Sequence, residues 1–224
     1  MIEDILPPAV AVASVTADVP LTELYPEEER IVAKAVPQRR AEFASARYCA
    51  RQALGKLGVP PAPLLATERG APRWPESTVG SITHCAGYRA AAVAAVREVR
   101  TVGIDAEPNE PTPNGVLGAV TVGGEQARVE RLLESRPEVR WDRLLFSAKE
   151  SVYKAWHPIT GRWLDFAEAE LHFTPHDAPA APGGGPHGTF TARILVPPGD
   201  APARFDGRWA VRGGLVLTAI TVPA

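Results

Sequence analysis

The chain has 224 residues and a mass of 23.9 kDa, and 24 Lys and Arg against 26 Asp and Glu give it a formal charge of −2. That length accommodates one compact domain or two closely packed halves. Near neutrality excludes a global field that would draw in nucleic acid or anionic lipid, so an anionic ligand requires a local basic site. Cys49 and Cys85 are too few for a disulfide framework or a four-thiolate zinc site, which points to a reducing cytoplasm. The opening MIEDILPPAVAVASV lacks the basic start and continuous apolar run of a signal peptide, and no stretch reaches the roughly 18 apolar residues of a membrane span, so neither export nor insertion is expected.

Periodicity predicts a first helix over about 37–57. Phe43, Ala46, Ala50, Ala53, Leu54 and Leu57 form its apolar face, and Gly58 and Pro60-Pro61 end it. GSITHC and AAAVAAV read as strands joined by a turn at 86–89, and VRTVGIDAE as a strand entering a proline-rich loop over 108–113. A second helix is expected over about 124–133, and a third from Trp141 through DRLLFSAKESVYKAW to a stop at Pro158. The 174–188 segment, TPHDAPAAPGGGPHG, has the composition of a mobile surface loop. FTARILV and RWAVRGGLVLTAITV read as closing strands with a hairpin at Arg212-Gly213-Gly214.

There is also an internal echo. Aligning Phe43 with Phe146 lays FASARYCAR over FSAKESVYK and matches Arg47 with Glu150 and Arg51 with Lys154. It predicts an α+β fold of two similar helix-on-sheet halves, 1–103 and 104–224, related by a pseudo-twofold. A cleft between them would receive cations from the first half and carboxylates from the second.

In TVGIDAE the period of two puts Val102, Ile104 and Ala106 on one face and Asp105 and Glu107 together on the other, beside Gly103. On the third helix Leu145, Ala148, Val152, Ala155 and Trp156 form an apolar stripe, with Glu150 and Lys154 opposite it at i, i+4. Asp105, Glu107 and Glu150 together make an all-oxygen set suited to Mg2+, with the lysine left for phosphate. The same residues also read as a solvated acidic face and a surface Glu–Lys pair. Arg40, Arg47 and Arg51 share one sector of the first helix, with Arg39 displaced by about a quarter turn; they fit either a phosphate clamp or arginines snorkelling along a wet helix. His84 and Cys85, neighbours on a strand, point to opposite faces and do not form a nucleophilic pair. His84 reads as a structural histidine or, with Thr83 and the amides near Gly80 and Ser81, as a phosphate donor.

VGIDAE, FSAKESVYKAW some forty residues later, and GSITH before both resemble the 4′-phosphopantetheinyl transferase superfamily. RRAEFASARYCARQAL and GAPRWPESTVGSITHCAGYRAA are similar to its single-chain Sfp/EntD-type branch, in an actinobacterial-like form. The resemblance runs from about Arg39 to Trp163, with a weaker continuation in GRWAVRGGLVLTAI. It implies transfer of the phosphopantetheine arm of coenzyme A (CoA) to a serine of an apo acyl or peptidyl carrier protein, with Mg2+ as cofactor and release of adenosine 3′,5′-bisphosphate. Carried over by position, it makes Asp105, Glu107 and Glu150 the metal carboxylates and Lys154 the lysine beside the reacting phosphate. Lys149 becomes a second phosphate contact, Thr83 and His84 contact a CoA phosphate, and Arg39 and Arg47 lie at the nucleotide end. Glu150 is the implied base, with a metal-bound water as rival.

Related enzymes often carry a lysine just before Gly70, where this chain has LLATERG and Arg69 is the candidate substitute. A site built within one chain implies a monomer, and the segment 114–124 is a candidate for carrier docking. Two further readings use the same residues: a Mg2+-dependent nucleotide or phosphoester hydrolase, and a CoA-binding regulator without catalysis.

Overall fold

The computed structural model describes residues 1–67, 70–177 and 184–224; Arg69 and the centre of the 174–188 segment lie outside the described residues. After a single 3-10 turn at Ile2–Ile5 come β1 (Ala11–Val15), α1 (Pro26–Val32), α2 (Pro37–Lys56), β2 (Thr78–Cys85), β3 (Tyr88–Ala95) and β4 (Val99–Pro108). These are followed by α3 (Val116–Val120), α4 (Glu125–Ser135), α5 (Trp141–Thr160), β5 (Ala169–Pro175), β6 (His187–Ile194), β7 (Arg204–Arg212) and β8 (Leu215–Pro223). The strands form two antiparallel sheets, ordered β1-β3-β2 and β4-β8-β7-β6-β5. The fold is α+β, with one 20-residue helix on each sheet, and Phe43 and Phe146 fall one position apart within those two helices.

Side-chain volume explains how each helix seats. β3 is a run of small residues buried on both faces: Ala90, Ala92 and Ala94 join the core shared with β4 and β8, while Ala91 and Val93 pack against Cys49, Ala50, Ala53 and Leu54 of α2. α5 buries its expected stripe, Leu145, Ala148, Val152, Ala155 and Trp156, against the second sheet. It approaches β4 at Gly103, where a Cβ would overlap the Ser151 carbonyl oxygen and come within 2.8 Å of the Ala155 amide nitrogen. Next to this contact, Thr101 Oγ1 donates to the Ala155 carbonyl at 2.9 Å.

The two sheets meet at β2 and β4 without a backbone ladder between them. Instead, alternate hydroxyls of β2 satisfy alternate amides of β4: the Ile104 N–H donates to Ser81 Oγ at 3.1 Å and the Ala106 N–H to Thr83 Oγ1 at 3.0 Å. The core containing Ile2, Val12 and Tyr88 also contains Val102, Ile104 and Leu217, so the halves share one interior.

Several expectations change. The boundary expected after residue 103 falls inside β4; the sheets separate earlier, between Ala95 and Val99. The third helix runs past Pro158 to Thr160 and stops at Gly161, whose φ of 63° is left-handed. Pro158 removes only the bond to the Lys154 carbonyl, a loss tolerated in a last turn anchored by the buried Trp156. β5 and β6 extend into the segment read as a loop, with Pro175 opposite Gly188. β1 and α1 had no counterpart in the sequence reading. The β7–β8 hairpin is as expected, with Gly213 and Gly214 at φ of 55° and 78°, the pair of positive angles that a two-residue turn of this kind requires. Among the described residues no helix is long and apolar enough to cross a membrane.

Gly103→Ala is expected to force α5 off β4 and to lower stability by about 1–3 kcal/mol, as overpacking does. Urea unfolding measures it, and an unchanged midpoint would show that α5 does not depend on that contact.

Candidate active site

β4 delivers Asp105 to the seam between the halves. The residue is 5% exposed, and Oδ1 accepts one hydrogen bond from each side: Thr83 Oγ1 of β2 at 3.0 Å and Lys154 Nζ of α5 at 2.7 Å. Lys154 also donates to the Ile104 carbonyl at 3.1 Å, which holds the ammonium over the strand. Asp105 Oδ2 is buried and has no hydrogen-bond partner among the described residues. A buried carboxylate oxygen held in place and left unpartnered is the kind of group a bound cation or donor completes.

Glu150 lies on α5 one turn before Lys154. Burial raises its pKa most, Lys154 opposes that shift and the Asp105 charge adds to it; its carboxylate accepts no hydrogen bond among the described residues. Glu107 is likewise raised, first by burial and then by Asp105, against the opposing pull of Arg143 and Lys154. Arg143 holds Glu107 through Nη1 at 3.1 Å and also donates to the carbonyls of Glu110 at 3.2 Å and Pro111 at 2.8 Å. The field of Asp105 therefore reaches both other acids. Even so, among the described residues no three His, Cys, Asp or Glu side chains stand together as a ready metal cage. Lys154 and Arg143 occupy the flanks of the carboxylates. The hard oxygen donors and the orphaned Oδ2 nevertheless fit a small divalent cation, which binds through a few carboxylates together with water and substrate phosphate.

The cationic side is built from α2 and β2. Arg39 Nη1 donates to His84 Nε2 at 3.0 Å, 45 residues away in sequence, and lies 3.6 Å from Glu42. Burial lowers the His84 pKa from 6.5, and Arg39 and Lys154 lower it further, while Glu42 opposes them. Arg47 is largely withdrawn: it is 5% exposed, its Nε donates to the Leu64 carbonyl at 2.8 Å, and its guanidinium lies 4.2 Å from the Phe43 ring centre. Burial brings it down to about 10. Arg51 is neutralised by the fully buried Glu28, with Nη1 2.9 Å from each carboxylate oxygen, so the arginine sector supplies fewer free cations than its spacing promised.

Two residues expected to contact phosphate have their polar side-chain groups bonded within the protein. Thr83 is buried, and its hydroxyl donates to Asp105 and accepts from the Ala106 amide, so it orients the carboxylate. Lys149 is buried with its three donors directed to Glu125 Oε2 at 2.8 Å, the Phe166 carbonyl at 2.7 Å and the Ala169 carbonyl at 2.9 Å. It points away from Asp105, toward α4 and β5. Cys85 is pushed up to about 12 by burial and then by the charges of Glu107 and Asp105, which keeps its thiol protonated.

Beside Glu150 a cavity of about 140 Å3 is lined by Lys149, Tyr153, Trp163, Leu164 and Phe166 among others, a narrow and mostly apolar slot. Arg143 was missed in the sequence although a signal existed: 143, 147, 150 and 154 advance by four, three and four, one face of a helix. Glu125 and Glu28 carried no such signal, because an acid in a first helical turn is ordinarily solvated.

Arg39→Ala is expected to raise the His84 pKa toward 6.5, followed by NMR titration of the imidazole; an unchanged value would contradict the contact. Because the unfolded chain binds that proton more tightly than the folded one, this group's contribution to stability is present above 6.5 and is lost as pH falls through the depressed folded value.

Residues 27–94 match the family described as the 4′-phosphopantetheinyl transferase N-terminal domain, and residues 101–196 match the 4′-phosphopantetheinyl transferase superfamily. The chain is 55% identical to the 4′-phosphopantetheinyl transferase Svp of Streptomyces mobaraensis over 92% of its own length and 82% of that protein. It is 47% identical to Npt of Nocardia iowensis over 98% of this chain and 99% of the relative, and 44% identical to PptT of Mycobacterium tuberculosis over 99% and 98%. Both relatives are 4′-phosphopantetheinyl transferases. With the two matches falling on either side of the β3–β4 turn and the relatives aligned nearly end to end, the chain belongs to the 4′-phosphopantetheinyl transferase superfamily.

Proposed function

We propose that this transferase moves the 4′-phosphopantetheine arm of CoA to the serine hydroxyl of an apo acyl or peptidyl carrier protein and releases adenosine 3′,5′-bisphosphate, acting as a cytoplasmic monomer that requires Mg2+. One observation carries the mechanism: the buried, unpartnered Oδ2 of Asp105, with Lys154 on its other oxygen and Glu150 within its field. Asp105, Glu107 and Glu150 would hold the ion, which when bound supplies charge neutralisation at the pyrophosphate.

The chain's own residues supply the rest. Lys154 is anchored by Asp105 and the Ile104 carbonyl and retains one N–H for a phosphate oxygen, so it stabilises charge that builds as the phosphorus–oxygen bond breaks. Phosphoryl transfer asks for positioning and charge stabilisation more than for covalent help, which suits a site whose Cys85 thiol stays protonated. Glu150, at the edge of the apolar slot, takes the proton of the carrier serine hydroxyl as its oxygen attacks the β-phosphorus. Arg39, exposed at the start of α2 and fixed against His84, meets the 3′-phosphate end of the nucleotide, and the slot beside Tyr153 and Leu164 accepts the uncharged arm.

Intact-mass measurement of an apo carrier after incubation with the protein, CoA and Mg2+ is expected to show addition of one phosphopantetheine group, abolished by EDTA. Glu150→Gln is expected to slow the transfer by about 100-fold or more, as loss of a general base does. CoA breakdown without any carrier mass gain would replace the transferase by a hydrolase, and CoA binding without turnover by a regulator.

A further inference from the structure

We infer that Lys149 is a positioning residue for the transfer, paired with Glu125 so as to set the width of the slot beside Glu150; this rests on the transferase reading above. An ammonium has three donors, and all three of Lys149 are directed inward, to Glu125 and to the carbonyls of Phe166 and Ala169. None is left for a pyrophosphate. Both charged side chains are 1% exposed, so the pair is dry.

Glu125 is equally committed. Its Oε1 accepts from the Leu171 amide at 2.6 Å, and its Oε2 accepts from the Val122 amide at 2.7 Å as well as from Lys149. One ion pair thus joins four segments: the entry to α4, the turn at Phe166, the start of β5, and the turn of α5 that carries Glu150. The slot lies between two of them, with Glu150 and Tyr153 on the α5 side and Leu164 and Phe166 on the other. The opposite wall is stiffened from within, since Asp165 accepts from the Ala167 amide and Glu168 accepts from the Asp165 amide. Ring contacts of Phe146 with Phe166 at 5.7 Å and of Tyr153 with Trp163 at 4.9 Å join this wall to α5, and the Lys149 ammonium, bonded to the Phe166 and Ala169 carbonyls, is the polar tie across the same gap. A chain seated in the slot would have its phosphate end placed against Glu150 and Lys154 by this spacing.

The test compares wild type, Lys149→Met and the double variant Glu125→Gln/Lys149→Met in three measurements: urea unfolding, CoA binding by calorimetry, and transfer kinetics on an apo carrier. The single variant strands a buried carboxylate and loses stability; in the double variant both charges are gone and the amide oxygen at position 125 still accepts from the backbone, so much of that loss is recovered and the folded state can be assayed. Expected in both is a kcat lower by about 10- to 100-fold with CoA affinity within about threefold of wild type, the signature of misplacement without loss of a contact. Affinity for CoA weakened by about tenfold or more in the double variant would make Lys149 a direct phosphate ligand and overturn the inference. Turnover that returns with stability in the double variant would make the pair scaffolding only, and would also overturn it. A wild type that transfers nothing would sink the transferase reading itself, and this inference with it.

Discussion

The carboxylate of Asp105 is the point at which the two halves of the molecule have to agree. One oxygen is shared between a hydroxyl from the first sheet and an ammonium from α5 on the second, and the other oxygen is buried with no hydrogen-bond partner among the described residues. Leaving such an atom bare costs about 1–3 kcal/mol, and the cost persists only where the surroundings fix the group. Here the fixing is unusually complete. Thr83 also accepts the Ala106 amide, so the hydroxyl cannot turn away, and Lys154 also donates to Ile104, so the ammonium cannot leave the strand.

The rest of the architecture supports that arrangement. Gly103 lets α5 lie against β4 closely enough for Lys154 to reach back over Asp105. A hydroxyl cluster holds the other flank of α5: Thr218 of β8 lies 3.0 Å from Ser147 Oγ and 2.7 Å from Ser151 Oγ, all three residues being fully buried. Two ion pairs, Arg51–Glu28 in the first half and the fully buried Lys149–Glu125 in the second, tie α1 and α4 to the two long helices. Removing one partner from such a pair leaves an uncompensated charge at about 3–5 kcal/mol, whereas the intact pair adds little net stability and mainly fixes a geometry.

Much of this was legible before any coordinates, and the division has a physical basis. Alternation in VGIDAE placed Asp105 and Glu107 on one face, and helical spacing placed Glu150 and Lys154 on one side of α5, because local backbone periodicity alone decides those directions. Which partner a polar group takes is decided by packing between segments far apart in the chain. Lys149 and Lys154 are both lysines of one helix, yet one is consumed by Glu125 and two carbonyls while the other reaches the seam. Thr83 illustrates the same limit: its strand position was foreseen, but its turn inward toward Asp105 depended on β4 lacking a backbone partner on that edge. Arg47 and Arg51 share the helix sector expected for a clamp, and Leu64 and Glu28, from segments either side of α2, drew them inward. β1 and α1 escaped notice because strands of five residues and helices of seven carry too few periods to stand out.

The central claim is that Asp105 offers its free oxygen to a divalent cation in the presence of CoA. Mn2+ binding followed by electron paramagnetic resonance, with CoA present, tests it without recourse to turnover. Asp105→Asn is expected to weaken Mn2+ binding by at least about tenfold while the fold, read by circular dichroism, is retained. Wild-type affinity in that variant would contradict the account.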